Sequence, residues 1–181
     1  MKLLFKRFLE ICLLRAGPQD LPASGFLLGL ALLAYVFTGT LLSSLNLAWW
    51  QSLLLVAVDT VILGGLAFVV LWIRHHVERF RQVFTALLGT GAFFELLALP
   101  LLFWQQQTVG AFQGAVQDGG AGVFFSALVL WLCLFWNLVV IGHILRHALS
   151  TLMPVGLALA VAYMFISITV SQRLTQFLLA A

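Results

Sequence analysis

Five long apolar segments, none containing a Lys or Arg, constrain the fold of this chain more than any other feature. About 20 apolar residues in a helix cross the roughly 30 Å hydrocarbon core of a bilayer. Only 8% of the residues are charged and 63% are hydrophobic, whereas soluble domains are about a quarter charged. The sequence therefore predicts an all-α polytopic membrane protein with five transmembrane helices. The segments are residues 26–45, 49–73, 84–104, 122–145 and 152–170.

The residues before the first segment divide into an amphipathic helix and a turn-rich linker. "MKLLFKRFLEICLLR" places its apolar side chains on one helical face, and "RAGPQDLPASG" is rich in Gly and Pro. We expect this helix to lie in the lipid interface, with its basic side chains facing anionic headgroups. The alternative is a short helix packed on its own protein. The interfacial basic residues are Lys2, Lys6, Arg7 and Arg15.

The distribution of basic residues predicts how the chain is oriented. Eight of the nine Lys and Arg residues fall on the N-terminal side of the predicted bilayer, and Arg173 alone falls on the other side. The positive-inside rule then places the N-terminus in the cytoplasm and, with five spans, the C-terminus outside. We expect a bacterial inner-membrane protein that binds no nucleic acid. Its parts are a cytoplasmic helix and linker (1–24), a transmembrane domain (25–171) and a short non-cytoplasmic tail (172–181).

Two carboxyl groups lie deep inside the predicted spans. Asp59 is ten residues into the second span and Glu95 is eleven residues into the third, so each is about 15 Å from its entry point. A charge at the midplane costs about 2.5–3.5 kcal/mol, and no basic residue lies deep in any span. We therefore expect at least one of the two to be protonated or reached by water.

These carboxyls have two interpretations. The first is a proton- or cation-binding site, which intramembrane acids often mark. The second is a neutral carboxyl that hydrogen-bonds across helices and fixes their packing. Thr60, Thr90 and Asn137 are the candidate partners for that second role.

Several of the predicted spans contain small residues. Such residues let helix backbones approach closely, and Gly91 in particular opens space on the helical face that carries Glu95 four residues later. Pro100 is expected to kink the same span. The predicted helix-packing glycines are Gly25, Gly29, Gly64, Gly65 and Gly91.

Four histidines fall on the predicted cytoplasmic side. His143 and His147 are one helical turn apart, and His75 and His76 end the second span. Imidazole is a common zinc ligand, but the sequence shows no HExxH pattern and no Cys beside them. We therefore interpret them as interfacial histidines and expect no metal ion and no cofactor.

The layout resembles the Yip-type membrane proteins. The likeness is in "RAGPQDLPASG" before the first span and in "LLGTGAFFELLALPLLF" in the third, which is similar to that family's Pro-containing third span. The resemblance implies five tightly connected spans with a cytoplasmic N-terminus. Eukaryotic members are linked to Rab GTPases and vesicle traffic. We expect no counterpart of the long cytosolic domain of those members, and the resemblance implies no catalytic residues.

Two functional hypotheses follow. The first is a non-catalytic, Yip-like scaffold, assembly factor or accessory subunit that contacts the lipid bilayer and a protein partner or a second copy of itself. The alternative is a small proton- or cation-linked transporter or channel that uses Asp59 and Glu95 as an oligomer. An intramembrane enzyme is disfavoured because the sequence contains no HExxH, no GxGD and no serine–histidine arrangement at matched depth.

Overall fold

The computed structural model describes residues 2–112 and 120–180, with side chains for 5–106 and 124–178. Within these ranges the chain is helical and forms no strand. Five helices are long and apolar enough to span a membrane, which confirms the predicted all-α polytopic fold. The α-helices are α1 (Lys2–Cys12), α2 (Gly25–Ser43), α3 (Trp49–Ile73), α4 (Phe80–Phe112), α5 (Gly120–Leu149) and α6 (Met153–Ala180).

The five long helices form a ring. The most extensive contacts run from α2 to α4, then to α5, α6 and α3, and from α3 back to α2. Successive helices run in opposite directions, so the ends of α3 and α5 meet where α2, α4 and α6 begin. The guanidinium of Arg74 reaches the carbonyl of Leu149 there, at 3.4 Å. We name this the basic end, because it carries Arg74, Arg79, Arg81 and Arg146.

The N-terminal helix packs its apolar face against α4 and α5. Ile11 and Cys12 are buried in the core, and the indole N–H of Trp136 donates to the Cys12 carbonyl at 2.9 Å. The charged face stays exposed, and Glu10 there pairs with Lys6 at 3.8 Å and with Arg7 at 3.0 Å. The apolar face of α1 therefore packs on the protein itself, as the alternative prediction for this helix stated. Arg15 is also exposed, and the side chain of Lys2 lies outside the described residues.

Three helices end in a left-handed residue that is not glycine. Leu14, His75 and Ser150 have φ of 60°, 56° and 52°. In each case the following N–H bonds to the carbonyl five residues earlier, which is the Schellman arrangement. Glycine is the usual residue at this position because a Cβ is disfavoured there by about 1–2 kcal/mol. The sequence therefore carries no glycine signal for these helix ends.

Two helices are longer than their sequence predicts. Helix α4 is continuous through Pro100 and extends to Phe112, beyond the predicted third span (84–104). Helix α6 extends to Ala180, over the predicted tail. Neither Gly nor Pro occurs in 101–109 or in 171–180, so nothing in these stretches breaks a helix. Residues 113–119, between the third and fourth predicted spans, lie outside the described residues.

Candidate functional site

Three hydroxyl groups converge on the carboxylate of Asp59 in α3. Tyr35 of α2 donates to Oδ2 at 2.5 Å, and Tyr163 of α6 lies 2.9 Å from both carboxylate oxygens. Ser167, one turn further along α6, donates to Oδ1. Hydrogen bonds donated to a carboxylate favour its charged form. The arrangement therefore compensates a negative charge on Asp59 without any basic residue.

Glu95 of α4 has a different environment. The hydroxyl of Thr38 lies 2.5 Å from its Oε2, but the same hydroxyl lies 2.9 Å from the carbonyl of Ala34 in its own helix. A threonine hydroxyl has one hydrogen to donate. If Thr38 donates to Ala34, its contact with Glu95 is a hydrogen bond only when Glu95 carries the proton. The geometry thus accommodates a neutral Glu95 that donates to Thr38.

Helix α2 connects the two carboxyls. Tyr35 and Thr38 are one turn apart on α2, and each holds a different carboxyl. Among the described contacts, no hydrogen bond joins Asp59 to Glu95 directly. Asp59 and Glu95, which the sequence predicts at a similar depth in the membrane, therefore belong to one polar cluster. We name Tyr35, Thr38, Asp59, Glu95, Tyr163 and Ser167 the midplane cluster.

The hydroxyl partners of the acids differ from those expected. Thr60 and Thr90 donate to carbonyls of their own helices, at 2.7 Å to Val56 and 2.8 Å to Ala86, so neither bridges to an acid. Sequence reasoning missed all four hydroxyl partners. One signal was present, since the chain has only two tyrosines and both lie in the middle of spans. Tyrosine in membrane proteins is enriched at the interfaces instead.

Two glycines make room for the cluster in reciprocal fashion. A Cβ on Gly91 of α4 would lie 2.6 Å from the ring of Tyr35, and a Cβ on Gly39 of α2 would lie 2.9 Å from Oε1 of Glu95. Each glycine therefore accommodates the functional side chain of the opposite helix. Gly91 was a predicted packing residue, whereas Gly39 was not recognised from the sequence.

The other predicted glycines differ in their surroundings. A Cβ on Gly64 would lie 3.1 Å from Phe84. The described residues leave open space, with no atom within 4 Å, around a Cβ on Gly25, Gly29 or Gly65. At Gly156 of α6, by contrast, a Cβ would collide with the Gly142 backbone carbonyl of α5. Helices α5 and α6 therefore approach each other closely at these two glycines.

A cavity of about 430 Å³ opens beside the midplane cluster. All five long helices contribute to its wall, which is formed mainly by apolar side chains. Ligand pockets in proteins have volumes of about 300–1,000 Å³ and combine apolar walls with a few polar groups. The described residues that line this cavity include no Lys or Arg. The polar lining residues are Tyr35, Glu95, Asn137 and Tyr163.

The four histidines do not converge. The rings of His143 and His147 lie 4.6 Å apart, and Nε2 of His143 lies 3.0 Å from the Ala16 carbonyl. A carbonyl only accepts, so this nitrogen carries a hydrogen. His75 and His76 follow the end of α3, and Nδ1 of His76 lies 3.8 Å from the Glu78 carboxylate. In the described part of the chain, no three His, Cys, Asp or Glu residues are placed to hold a metal ion.

Protein-family models, curated proteins and solved structures give no match to this chain. The resemblance to Yip-type proteins therefore stays a prediction from the sequence.

Proposed function

We propose that this integral membrane protein binds protons and small lipophilic cations at the midplane cluster and couples their movement across the bilayer. The observation that carries the proposal is that Glu95 lines an apolar cavity of about 430 Å³ that no Lys or Arg lines. An organic cation in this cavity would meet one acidic group and three aromatic rings. The geometry therefore favours the transporter alternative over the scaffold.

The proposed resting state carries one negative charge. Asp59 accepts from three hydroxyls and is the ionised member. Glu95 has only the shared hydroxyl of Thr38 and is the protonated member. Two nearby acids hold a shared proton more readily than either does alone. Proton release from Glu95 would then create the second charge, beside the cavity.

The shape and lining of the cavity indicate the class of cation. A small hydrated ion needs several oxygen ligands to replace its water, and most of the wall is apolar. A lipophilic cation needs little hydration, and the rings of Tyr35 and Tyr163 can attract its charge through cation–π contacts. Proton and cation would compete for the Glu95 carboxylate, which links their movements.

The test measures binding and uptake of tetraphenylphosphonium in proteoliposomes over a range of pH. Wild type is expected to bind more tightly as the pH rises, because Glu95 loses its proton. Glu95→Gln should abolish both the binding and its pH dependence. The matched control is Glu78→Gln, which removes an exposed carboxyl at the basic end. Unchanged binding by a folded Glu95→Gln variant would refute the proposal.

The proposed orientation places the basic end in the cytoplasm of a bacterium and the protein in the inner membrane. Its support is the charge count, with eight Lys and Arg residues on that side against one on the other. A membrane-impermeant label should react with a cysteine introduced at Arg173 from outside intact cells. A cysteine introduced at Arg81 should react only after the membrane is opened, and the reverse pattern would contradict the orientation.

A second candidate function is the Yip-like, non-catalytic scaffold or accessory subunit. The observation that favours it is the outer face of α5, where Phe124 and Trp131 are each 71% exposed and Phe135 is 60% exposed. Such a face contacts lipid or a helix of another protein or copy. Photo-crosslinking from position 131 in native membranes, followed by mass spectrometry, tests this. A single specific protein adduct supports a partner, and lipid adducts alone count against it.

A further inference from the structure

A second cavity lies at the basic end and differs in character from the first. Its volume is about 550 Å³, and its wall is polar. The lining residues come from distant parts of the sequence. They are Gln19, Arg79, Gln82, Arg146, His147, Ser150 and Thr151, and we name this cavity the basic pocket.

Three separate segments build the basic pocket. One wall comes from the connection between α3 and α4 and the first turn of α4. A second wall comes from the last turn of α5 and the turn that follows it. The N-terminal linker closes the third side, where the amide of Gln82 donates to the Leu21 carbonyl at 2.8 Å. The docked linker therefore completes the wall of the pocket through Gln19.

The charge inside the basic pocket is positive. Among the described residues, neither Arg79 nor Arg146 forms a salt bridge. The nearby Asp20 carboxylate accepts from the Gly17 N–H at 2.8 Å, and Glu78 lies 3.8 Å from the ring of His76. The two guanidinium groups consequently lack a paired acid.

His147 also lines the basic pocket. A guanidinium nitrogen of Arg146 lies 3.2 Å from Nε2 of His147. Arginine only donates, so this ring nitrogen accepts and the ring hydrogen is on Nδ1. The hydroxyl of Thr151, another lining residue, is buried and has no hydrogen-bond partner among the described residues. A buried polar group without a partner costs about 1–3 kcal/mol.

We propose that the basic pocket binds a phosphate group. Two guanidinium groups that lack acid partners match the oxygens of a phosphate, which arginine binds through paired hydrogen bonds. Arg146 and His147 belong to the last turn of a membrane-spanning helix, which is the depth of lipid headgroups. The phosphate can thus come from an anionic lipid or from a soluble phosphate, and the site is independent of the midplane cluster.

The experiment uses the full chain in phosphatidylcholine nanodiscs with two arms. In the first arm, phosphatidic acid is added to the bilayer and retained lipid is counted by native mass spectrometry. In the second arm, inorganic phosphate is added to the buffer and followed by phosphorus NMR. Arg79→Gln and Arg146→Gln should each weaken binding by about tenfold to a hundredfold. The matched control is Arg81→Gln, which removes the same charge two residues away and outside the pocket lining.

Each result has a defined meaning. Saturable binding in the lipid arm alone assigns the pocket to a headgroup, and saturable binding in the phosphate arm alone assigns it to a soluble ligand. Either result supports the proposal if Arg81→Gln leaves it unchanged. No saturable binding in either arm, or equal weakening by Arg81→Gln, would overturn it. Arg79 is exposed, so Arg79→Gln keeps the test decisive even if the Arg146 variant fails to fold.

Discussion

Removing the hydroxyl of Tyr163 tests whether Asp59 carries a charge. This hydroxyl lies 2.9 Å from both carboxylate oxygens, and Tyr163→Phe removes it while keeping the ring. A hydrogen bond to a charged group contributes about 1.5–3 kcal/mol. Polar contacts between helices in a membrane protein average only about 0.6 kcal/mol. An ionised Asp59 therefore predicts that Tyr163→Phe lowers the free energy of unfolding by about 1.5–3 kcal/mol.

The assay is reversible unfolding in mixed micelles, with the free energy compared between variants. Ser167→Ala removes a second donor to Asp59 and should cost a similar amount. Ser171→Ala removes a hydroxyl one turn further along α6 and serves as the matched control. If Tyr163→Phe and Ser167→Ala cost no more than this control, Asp59 is not a carboxylate held by hydroxyl donors, and the proposed charge assignment fails.

Three further predictions concern packing, backbone and pH. Gly91→Ala should destabilise the protein by about 1–3 kcal/mol, because its Cβ would lie 2.6 Å from a ring of the midplane cluster. Gly65→Ala, in open space, should instead be neutral or stabilising by up to about 1 kcal/mol, and equal costs would contradict this packing. His75→Gly should raise the free energy of unfolding by about 1 kcal/mol, because it relieves a left-handed φ of 56°; a lower melting temperature would count against this. Burial raises the pKa of the Cys12 thiol to about 11, so its alkylation in a Cys133→Ser background should keep accelerating up to that pH, and a plateau below pH 9 would be inconsistent with a buried thiol.

The spans could be predicted from the sequence because each one is a matter of composition and length. The lipid solvent requires long uncharged helices, and the positions of Asp59 and Glu95 along them follow from the rise per residue. Which residues surround those acids depends on how each helix is rotated about its axis. The spans are apolar on all sides, so no hydrophobic periodicity reports that rotation.

The same limit explains the glycine and threonine results. Gly39 and Gly65 look alike in sequence, yet one lies against Glu95 and the other faces open space. Thr38 reaches a carboxyl on another helix, whereas Thr60 bonds to its own helix. Only the packing of α2 against α3 and α4 separates these cases. The positions of the two tyrosines in mid-span were the one available sign of the hydroxyl partners of these carboxyls.

Helix ends were hard to predict for a different reason. The sequence offers a glycine or proline at few of them, and His75 and Ser150 take the left-handed position that glycine usually fills. Helix α6 continues over residues 172–180 of the predicted tail, where the polar residues are compatible with a helix. At His75 and Ser150 the local hydrogen bonding, rather than residue type, determines where the helix ends.

The most direct test of the proposed charge state is infrared spectroscopy of the carboxyl groups in lipid at neutral pH. A protonated carboxyl has a C=O stretch that is separate from the bands of a carboxylate. We predict that wild type shows this stretch, that Asp59→Asn retains it, and that Glu95→Gln abolishes it. The absence of the stretch in wild type, or its persistence in Glu95→Gln, would contradict a protonated Glu95 at the midplane.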